Sequence, residues 1–236
     1  MNTSLPVSET FVSIQGEGKL TGVPSWFCRV SGCNLRCRWC DTPYASWNPE
    51  SATRTIDDLA REARDSGVTH AVLTGGEPMI FDALAPLTGA LRRAHIHVTI
   101  ETAGTVWQDA LACDLISISP KLANSTPTGD PRDPAGAWAK RHDERRLAPD
   151  TLTRLLSSFP DRQLKFVVTS PADLPEIDGL LASISGWTAD DVILMPEGIT
   201  TPDPAAVAWV VAACQQRGWR YGHRLHIELF GNRRGT

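Results

Sequence analysis

Three cysteines lie close together near the N-terminal end of the chain. Cys33, Cys37 and Cys40 fall within eight residues, in the spacing C-x3-C-x2-C, directly after the β-rich run SWFCRV. A closed structural zinc site needs four ligands, and the nearest histidine, His70, belongs to a later strand. Three thiolates instead suit an iron–sulfur cube that keeps one iron free of protein ligands, so that a small molecule can coordinate it. The spacing therefore indicates chemistry at an open cluster.

The rest of the composition limits the possible classes of protein. The other cysteines, Cys28, Cys113 and Cys214, lie in or beside apolar runs, which is typical of buried thiols, and six in 236 residues are too few for a disulfide scaffold. A net charge of −4 gives no general attraction to nucleic acid. The N-terminus lacks the basic start and apolar run of a signal peptide, and the apolar stretches are too short to cross a bilayer. We therefore expect a cytoplasmic protein with no nucleic-acid or membrane partner.

A second motif ends the next β-rich run along the chain, HAVLTG. Thr74-Gly-Gly-Glu-Pro78 places two glycines, which let a backbone approach a ligand closely, before a carboxylate suited to a cationic ammonium group. In this order, and one strand–helix unit apart, the two motifs resemble the cysteine and GGEP signatures of the radical S-adenosylmethionine (SAM) superfamily.

The resemblance implies two cofactors that act together. Cys33, Cys37 and Cys40 would hold a 4Fe–4S cluster, and SAM would chelate its fourth iron. One low-potential electron from the cluster would cleave the sulfonium C–S bond and release a 5′-deoxyadenosyl radical, which the strands must enclose and keep from water. The residues that the resemblance assigns to SAM are Trp39, Cys40, Asp41, Gly76, Glu77, Gly104, Ser119, Pro120, Lys121, Met195, Pro196, Glu197 and Gly198.

The N-terminal stretch narrows the resemblance to one family. Residues 9–19 (ETFVSIQGEGK), 22–29 (GVPSWFCR) and 40–44 (CDTPY) are similar to the 7-carboxy-7-deazaguanine synthases of queuosine and 7-deazapurine biosynthesis. The similarity continues through residues 101–104 (ETAG), 119–121 (SPK), 195–198 (MPEG) and Leu225-His226. It therefore extends over almost every predicted strand end.

That family implies a specific reaction. Its members contract the ring of 6-carboxy-5,6,7,8-tetrahydropterin to 7-carboxy-7-deazaguanine with loss of ammonia, which makes them carbon–nitrogen lyases that regenerate SAM. They also use Mg²⁺, a hard cation that takes oxygen ligands, and the implied ligand here is Thr42, two residues after the last cysteine. A homodimer and a flavodoxin-like or other low-potential electron donor are implied as well.

The resemblance assigns seven residues to the substrate: Ile14, Gln15, Gly16, Glu17, Arg29, Thr102 and His226. An amide side chain can read the donor–acceptor edge of a pterin, and a guanidinium fork suits its carboxylate. No acid–base residue is implied, since the radical comes from the cofactor. Each assignment has a structural alternative, such as an ordinary glycine-rich turn at 15–18, an ion pair at the edge of the core for Arg29, or a buried structural role for His226.

The elements that must position these residues follow from the hydrophobic pattern. From about residue 24 onward, seven β-rich runs alternate with helical patterns; they are SWFCRV, HAVLTG, HVTIET, DLISIS, QLKFVV, DVILMP and YGHRLHIELF. Several are apolar on both faces, which predicts a mainly parallel α/β sheet, and the resemblance implies an open, partial (β/α) barrel of the radical SAM type. Helices are predicted after a cap at Thr55 and over about 81–94.

We expect residues 1–236 to form a single domain interrupted by one irregular insertion, at about 123–150. That segment is rich in Pro, Gly and charge, which is typical of a functional loop or lid and equally of a disordered surface loop.

Two other functions stay open from the sequence. An activase that installs a glycyl radical on a partner protein shares the cysteine motif but would need an open groove. A zinc or iron–sulfur module that senses redox state would need no substrate residues at all.

Overall fold

The computed structural model describes residues 3–236, and its strands form one nine-stranded sheet. The strands are β1 (Ser4–Ile14), β2 (Pro24–Val30), β3 (Ala52–Thr55), β4 (His70–Gly75), β5 (His97–Thr102), β6 (Leu115–Ile118), β7 (Arg162–Val168), β8 (Val192–Pro196) and β9 (Arg220–Tyr221). Their order across the sheet is β3-β1-β2-β4-β5-β6-β7-β8-β9. Strands β2 and β4 to β9 run parallel to one another, whereas β1 is antiparallel to both β2 and β3. With β3 and β9 at opposite edges the sheet is open, which confirms the predicted partial α/β barrel.

Seven α-helices accompany the strands within the described part of the chain. They are α1 (Ile56–Asp65), α2 (Leu84–Arg93), α3 (Ala137–Arg145), α4 (Pro149–Ser158), α5 (Leu174–Ser183), α6 (Pro204–Arg217) and α7 (Leu225–Phe230). The predicted cap of α1 is present, because the Thr55 hydroxyl accepts from the amide of Asp58 at 3.1 Å. Helix α2 begins three residues later than predicted, so that Pro86 falls in its first turn, where no backbone donor is needed. None of these helices is long and apolar enough to cross a membrane.

The two faces of the parallel sheet have different compositions. Ile116, Ile118 and Phe166 are fully buried among the apolar side chains of the helix layer. The intervening residues on the same strands, Ser117 and Lys165, point into a cavity on the other face. Since successive side chains of a strand face opposite sides, one strand supplies both the core and the cavity wall. The helix layer therefore packs against the strands and holds in place the polar side chains on their other face.

Two predicted elements differ in the structure. The last β-rich run is not one strand, because it divides into the two-residue strand β9 and helix α7. The amide of Leu225, the first residue of α7, donates to the carbonyl of Gly16 at 2.9 Å, and Ile227 is buried. Strand β1 precedes residue 24, where the predicted alternation of strands and helices begins. Its pairing with β2 forms the antiparallel end of the sheet. The first difference comes from a contact between the two ends of the chain, and the second from the pairing of β1 with the nearby β2.

Segment 123–150 is more regular than the composition suggested. It contains a 3₁₀ turn at Ala123–Ser125, helix α3 and the start of α4. Helix α3 is anchored by Asp133, whose carboxylate accepts from the amide of Ala139 at 2.8 Å. The segment is also joined to the cysteine loop, since the amide of Arg38 donates to the carbonyl of Ser125 at 2.9 Å. Its proline and glycine residues mark turns between short elements.

Candidate active site

A cavity of about 520 Å³ lies on the polar face of the sheet, at the carboxyl ends of the strands. Its walls combine the loop after β2, the N-terminal turn after β1, the ends of β4 to β8, and the C-terminal residues. In parallel α/β folds these strand ends meet at one edge, which is where ligands bind. The cavity therefore brings together parts of the chain that are far apart in sequence.

All three clustered cysteines line this cavity. Burial raises the pKa of the Cys33 thiol to about 12, with the nearby Glu77 carboxylate adding to the effect, and it raises the pKa of Cys37 as well. A bound metal would have to displace these protons, as it does for any cysteine ligand. Among residues 3–236, no three Cys, His, Asp or Glu side chains converge on a single ion position. Separated thiols on one loop fit a cluster, in which each thiolate binds a different iron.

The glycines of the TGGEP motif are needed by the protein's own backbone. A Cβ on Gly75, whose φ is +133°, would lie 2.2 Å from the carbonyl oxygen of Val30. A Cβ on Gly76 would lie 2.1 Å from the carbonyl oxygen of Gly32, immediately before the first cysteine. The amide of Glu77 donates to that same carbonyl at 2.9 Å. The motif therefore packs directly against the start of the cysteine loop and holds it in position.

Glu77 lies beneath the cavity wall and is fully buried. Its carboxylate accepts from the Thr102 hydroxyl at 2.7 Å and from the amides of Ala103 and Met79 at 2.7 and 3.0 Å. Burial raises the pKa of Glu77, although these three hydrogen bonds oppose the shift. In this arrangement Glu77 joins the end of β4 to the end of β5 and orients Thr102, which faces the cavity.

The N-terminal turn and helix α7 meet at Gly16. A Cβ at this position would lie 2.0 Å from Nδ1 of His226, so only glycine lets the two segments approach. The neighbouring Gln15 is 5% exposed, and its amide donates to Glu101 at 3.1 Å. Burial lowers the pKa of His226, although the Glu17 carboxylate opposes the shift. Gln15, Gly16, Glu17 and His226 thus share one corner of the cavity.

A cluster of charged side chains that the sequence did not reveal lines the same part of the cavity. Lys165 on β7 forms an ion pair with Glu17, and Arg224 lies 3.4 Å from the same carboxylate. Burial alone would raise the pKa of Glu17, but the two cations outweigh it and hold the carboxylate ionised. Glu101 completes the group and accepts from Thr74 at 2.9 Å. The sequence signal was weak, since Lys165 stands in an otherwise apolar strand run, where a charge needs a partner.

Arg29 has both a structural partner and access to the cavity. Its Nε donates to Glu9 at 2.7 Å, and Tyr44 donates to the same carboxylate oxygen at 2.7 Å. Burial would lower the pKa of Arg29, but the interactions with Tyr44 and Glu9 raise it. In the described part of the chain the terminal nitrogens of Arg29 make no hydrogen bond, and the residue lines the cavity. One edge of the guanidinium is therefore anchored while its fork stays available.

The candidate magnesium ligand lies on the rim of the cysteine loop. The Thr42 hydroxyl is 3.8 Å from Sγ of Cys40, and both residues line the cavity. Asp41 beside it lies 3.9 Å from Arg224. A hydroxyl and a carboxylate are the hard oxygen donors that Mg²⁺ prefers, and the remaining positions could be filled by water and substrate. The donor set at this rim fits that cation.

The residues assigned to SAM divide into two groups. Trp39, Cys40, Asp41, Gly76, Ser119, Lys121 and Met195 line the cavity. Lys121 donates to the Ser119 hydroxyl at 2.7 Å and lies over the Trp39 ring, 5.7 Å from its centroid. The other assigned residues lie behind the wall or beside it: Glu77, Gly104, Pro120, Pro196, Glu197 and Gly198. Of these, residues 196–198 border a smaller neighbouring pocket that also contains Arg224.

A buried histidine joins the cysteine loop to helix α3. Nδ1 of His142 accepts from the amide of Arg36 at 3.1 Å, Nε2 lies 2.8 Å from the Ser125 hydroxyl, and that hydroxyl donates to the carbonyl of Leu122 at 2.6 Å. These directions place the proton of a neutral imidazole on Nε2. His142 is fully buried. No motif around it in the sequence indicates that it contacts the cysteine loop.

This arrangement predicts a loss of stability on acidification. Burial, together with the nearby Arg146 and Lys121, lowers the pKa of His142 from 6.5 to about 4. The unfolded chain therefore binds more protons between these values, and the contribution of His142 is present above pH 6.5 and falls as the pH drops towards 4. Urea unfolding at several pH values measures the slope, and His142→Asn should reduce it. An identical pH dependence in parent and variant would contradict the assignment.

Comparison with known proteins identifies the family. A family model described as the Radical SAM superfamily matches residues 28–169. A 7-carboxy-7-deazaguanine synthase from Rhodopirellula baltica is 52% identical over 235 residues, which cover 99% of this chain and 90% of the relative. Another from Halobacterium salinarum is 48% identical over 238 residues and is covered to 91%. The crystal structure of QueE from Escherichia coli matches with a TM-score of 0.71 at 28% identity, over 94% of this chain and 95% of that chain. The chain belongs to the radical SAM superfamily and, within it, to the 7-carboxy-7-deazaguanine synthase family.

Proposed function

We propose that this protein is an enzyme that contracts the ring of 6-carboxy-5,6,7,8-tetrahydropterin to 7-carboxy-7-deazaguanine with release of ammonia. The observation that carries the proposal is the convergence of the cysteine loop and the N-terminal turn on one cavity of about 520 Å³. The names of the full-length relatives support it. An activase acting on a protein backbone would have little use for a cavity walled by Gln15, Glu17 and Arg29.

The cofactors are assigned to residues that share the cavity. Cys33, Cys37 and Cys40 would hold a 4Fe–4S cluster, and Trp39, Ser119 and Lys121 would border SAM. When bound, these groups supply the electron and the radical that start the reaction. The chain itself fixes the loop through Gly76, Glu77 and His142, and the apolar helix layer packs against the strands that form the cavity wall.

The substrate would be held by charges that the fold has already oriented. The free fork of Arg29 suits the pterin carboxylate, since guanidinium binds carboxylate in a bidentate manner. Glu17, kept ionised by Lys165 and Arg224, can accept hydrogen bonds from the amino–pyrimidinone end of a pterin. Gln15, Thr102 and His226 complete the same wall, with the backbone of Ile14 and Gly16.

One anaerobic assay tests the reaction. The reconstituted protein is incubated with the carboxypterin, SAM, Mg²⁺ and a reductant, and 7-carboxy-7-deazaguanine and ammonia are measured. Formation of both products without net consumption of SAM is the expected result. SAM cleavage without a deazaguanine product would show a radical enzyme with another substrate, and a protein that binds no cluster would contradict the proposal entirely.

The role of Thr42 gives a separate prediction. If its hydroxyl is a ligand to Mg²⁺, Thr42→Ala should raise the Mg²⁺ concentration needed for half-maximal product formation by roughly tenfold, the loss expected for one strong polar contact. Thr42→Ser restores the hydroxyl and should resemble the parent. Mg²⁺ titrations of product formation compare the three proteins, with 5′-deoxyadenosine release followed in parallel. Equal Mg²⁺ requirements in parent and Thr42→Ala would exclude the hydroxyl as a ligand.

Three further features belong to the same proposal. We infer a cytoplasmic location, a homodimer and a flavodoxin-like or other low-potential donor, each supported by the family resemblance. Gel filtration of the reconstituted protein tests the homodimer.

A further inference from the structure

The hydroxyl of Ser46 lies against one sulfur of the cysteine loop. Its Oγ is 3.2 Å from Sγ of Cys40, and Ser46 is only 4% exposed. Within residues 3–236 this is the one hydrogen bond that the Ser46 side chain makes. The Ser46 hydroxyl is therefore a buried polar group whose one partner is the Cys40 sulfur.

The backbone around Ser46 holds the hydroxyl in this place. A 3₁₀ turn spans Pro43–Ala45, and the amide of Ser46 donates to the carbonyl of Pro43 at 3.2 Å. The carbonyl of Ala45 accepts from the amide of Gly32 at 2.8 Å, which joins this turn to the start of the cysteine loop. The contact is thus built into the fold, since both the sulfur and the hydroxyl lie on segments tied to each other.

Among the described residues, the other donor contacts to the three loop sulfurs are longer or absent. Sγ of Cys33 accepts from the amide of Leu35 at 3.4 Å, and Thr42 lies 3.8 Å from Sγ of Cys40. In the described chain, Sγ of Cys37 has no hydrogen-bond donor. Cys40 therefore receives the shortest donor contact of the three cysteines.

A cysteine that ligates a metal is a thiolate and can only accept a hydrogen bond, so Ser46 must then donate. We propose that Ser46 is a positioning residue that donates a hydrogen bond to the Cys40 thiolate and raises the reduction potential of the cluster. Reduction adds negative charge, which a donor to sulfur stabilises more in the reduced than in the oxidised state, and a buried site strengthens the effect. The inference rests on the proposed function only in that Cys40 is a cluster ligand.

The test measures the potential directly, without SAM or substrate. Reconstituted parent, Ser46→Ala and Ser46→Thr are titrated with reductant, and the reduced cluster is followed by electron paramagnetic resonance. Ser46→Ala should lower the ratio of reduced to oxidised cluster at a fixed solution potential by about tenfold, equivalent to about 59 mV for a one-electron couple. Ser46→Thr keeps the hydroxyl and should restore most of the parent value.

A matched control separates this effect from the loss of any buried hydroxyl. Ser31 is 5% exposed, and its Oγ has no hydrogen-bond partner in the described residues, so Ser31→Ala should leave the potential unchanged. A potential of Ser46→Ala equal to that of the parent overturns the inference, as does an equal shift in Ser31→Ala. If Ser46→Ala retains too little cluster, Ser46→Cys, a weaker donor, must show a lower potential than the parent. Iron that stays bound after Cys40→Ala would instead refute the cluster assignment in the proposed function.

Discussion

Alanine at any of the three loop cysteines is expected to abolish cluster binding, whereas alanine at the other three leaves it intact. The first set, which lines the cavity, is Cys33, Cys37 and Cys40. The second set, Cys28, Cys113 and Cys214, packs in or against the apolar helix layer. Burial raises the pKa of Cys28 to about 12, and Cys113 donates to the carbonyl of Leu115 at 3.0 Å. We expect these thiols to be structural, because Cys28 and Cys214 lie in the core and Cys113 is partly buried against it.

Iron and sulfide content after anaerobic reconstitution measures this difference. A variant that has lost one of three ligands should retain less than about a tenth of the parent's iron, since the cluster has no protein ligand to spare. Loss of iron in Cys113→Ala or Cys214→Ala, with Cys37→Ala unaffected, would overturn the ligand assignment. Circular dichroism of each apoprotein shows whether a loss of iron comes from unfolding.

Replacing Lys165 by methionine is expected to destabilise the fold strongly. The lysine is 6% exposed and forms an ion pair with Glu17, whose side chain is 15% exposed. Removing one partner of a buried pair leaves an uncompensated charge and costs about 3–5 kcal/mol. For a domain of this size that corresponds to a fall in melting temperature of about 10 °C. Arg224, at 3.4 Å, stabilises the remaining carboxylate only in part.

Two further variants make this prediction specific to the buried pair. The double variant Lys165→Met with Glu17→Gln removes the stranded carboxylate and should recover part of the lost stability. The recovery is partial because, in the described chain, Arg224 then keeps only Asp41 at 3.9 Å as an acidic neighbour.

Lys19→Met breaks a more exposed pair with Asp161 at 3.1 Å and a contact with Asp191 at 3.5 Å. Since Asp191 keeps Arg162 at 3.3 Å, this variant should cost less than about 1 kcal/mol. Urea unfolding compares the apoproteins. Equal losses for Lys165→Met and Lys19→Met would show that Lys165 contributes no special buried interaction.

Local patterns determined most of the elements and the position of the cysteine loop. The cap at Thr55 and the apolar spacing after it specify α1, because both signals act within a few residues. The parallel strands follow from apolar runs with a helix-length spacing, apart from the last run, which divides into β9 and α7. The apolar residues of that stretch are compatible with both the two-residue period of a strand and the 3.6-residue period of a helix. The contact of Leu225 with Gly16, more than two hundred residues earlier, favours the helix.

The site itself was decided by contacts between residues far apart along the chain. Lys165 and Glu17 are 148 residues apart, and His142 and Arg36 are 106 apart. Neither pair has a local signature, since a buried ion pair or a neutral buried histidine depends on what the other strands and helices bring to it. The cysteine spacing and the TGGEP motif determined by themselves which chemistry is possible here. Only the tertiary structure decided which charges face the cavity and which sulfur receives a hydrogen bond, because burial and distance are properties of the packed chain.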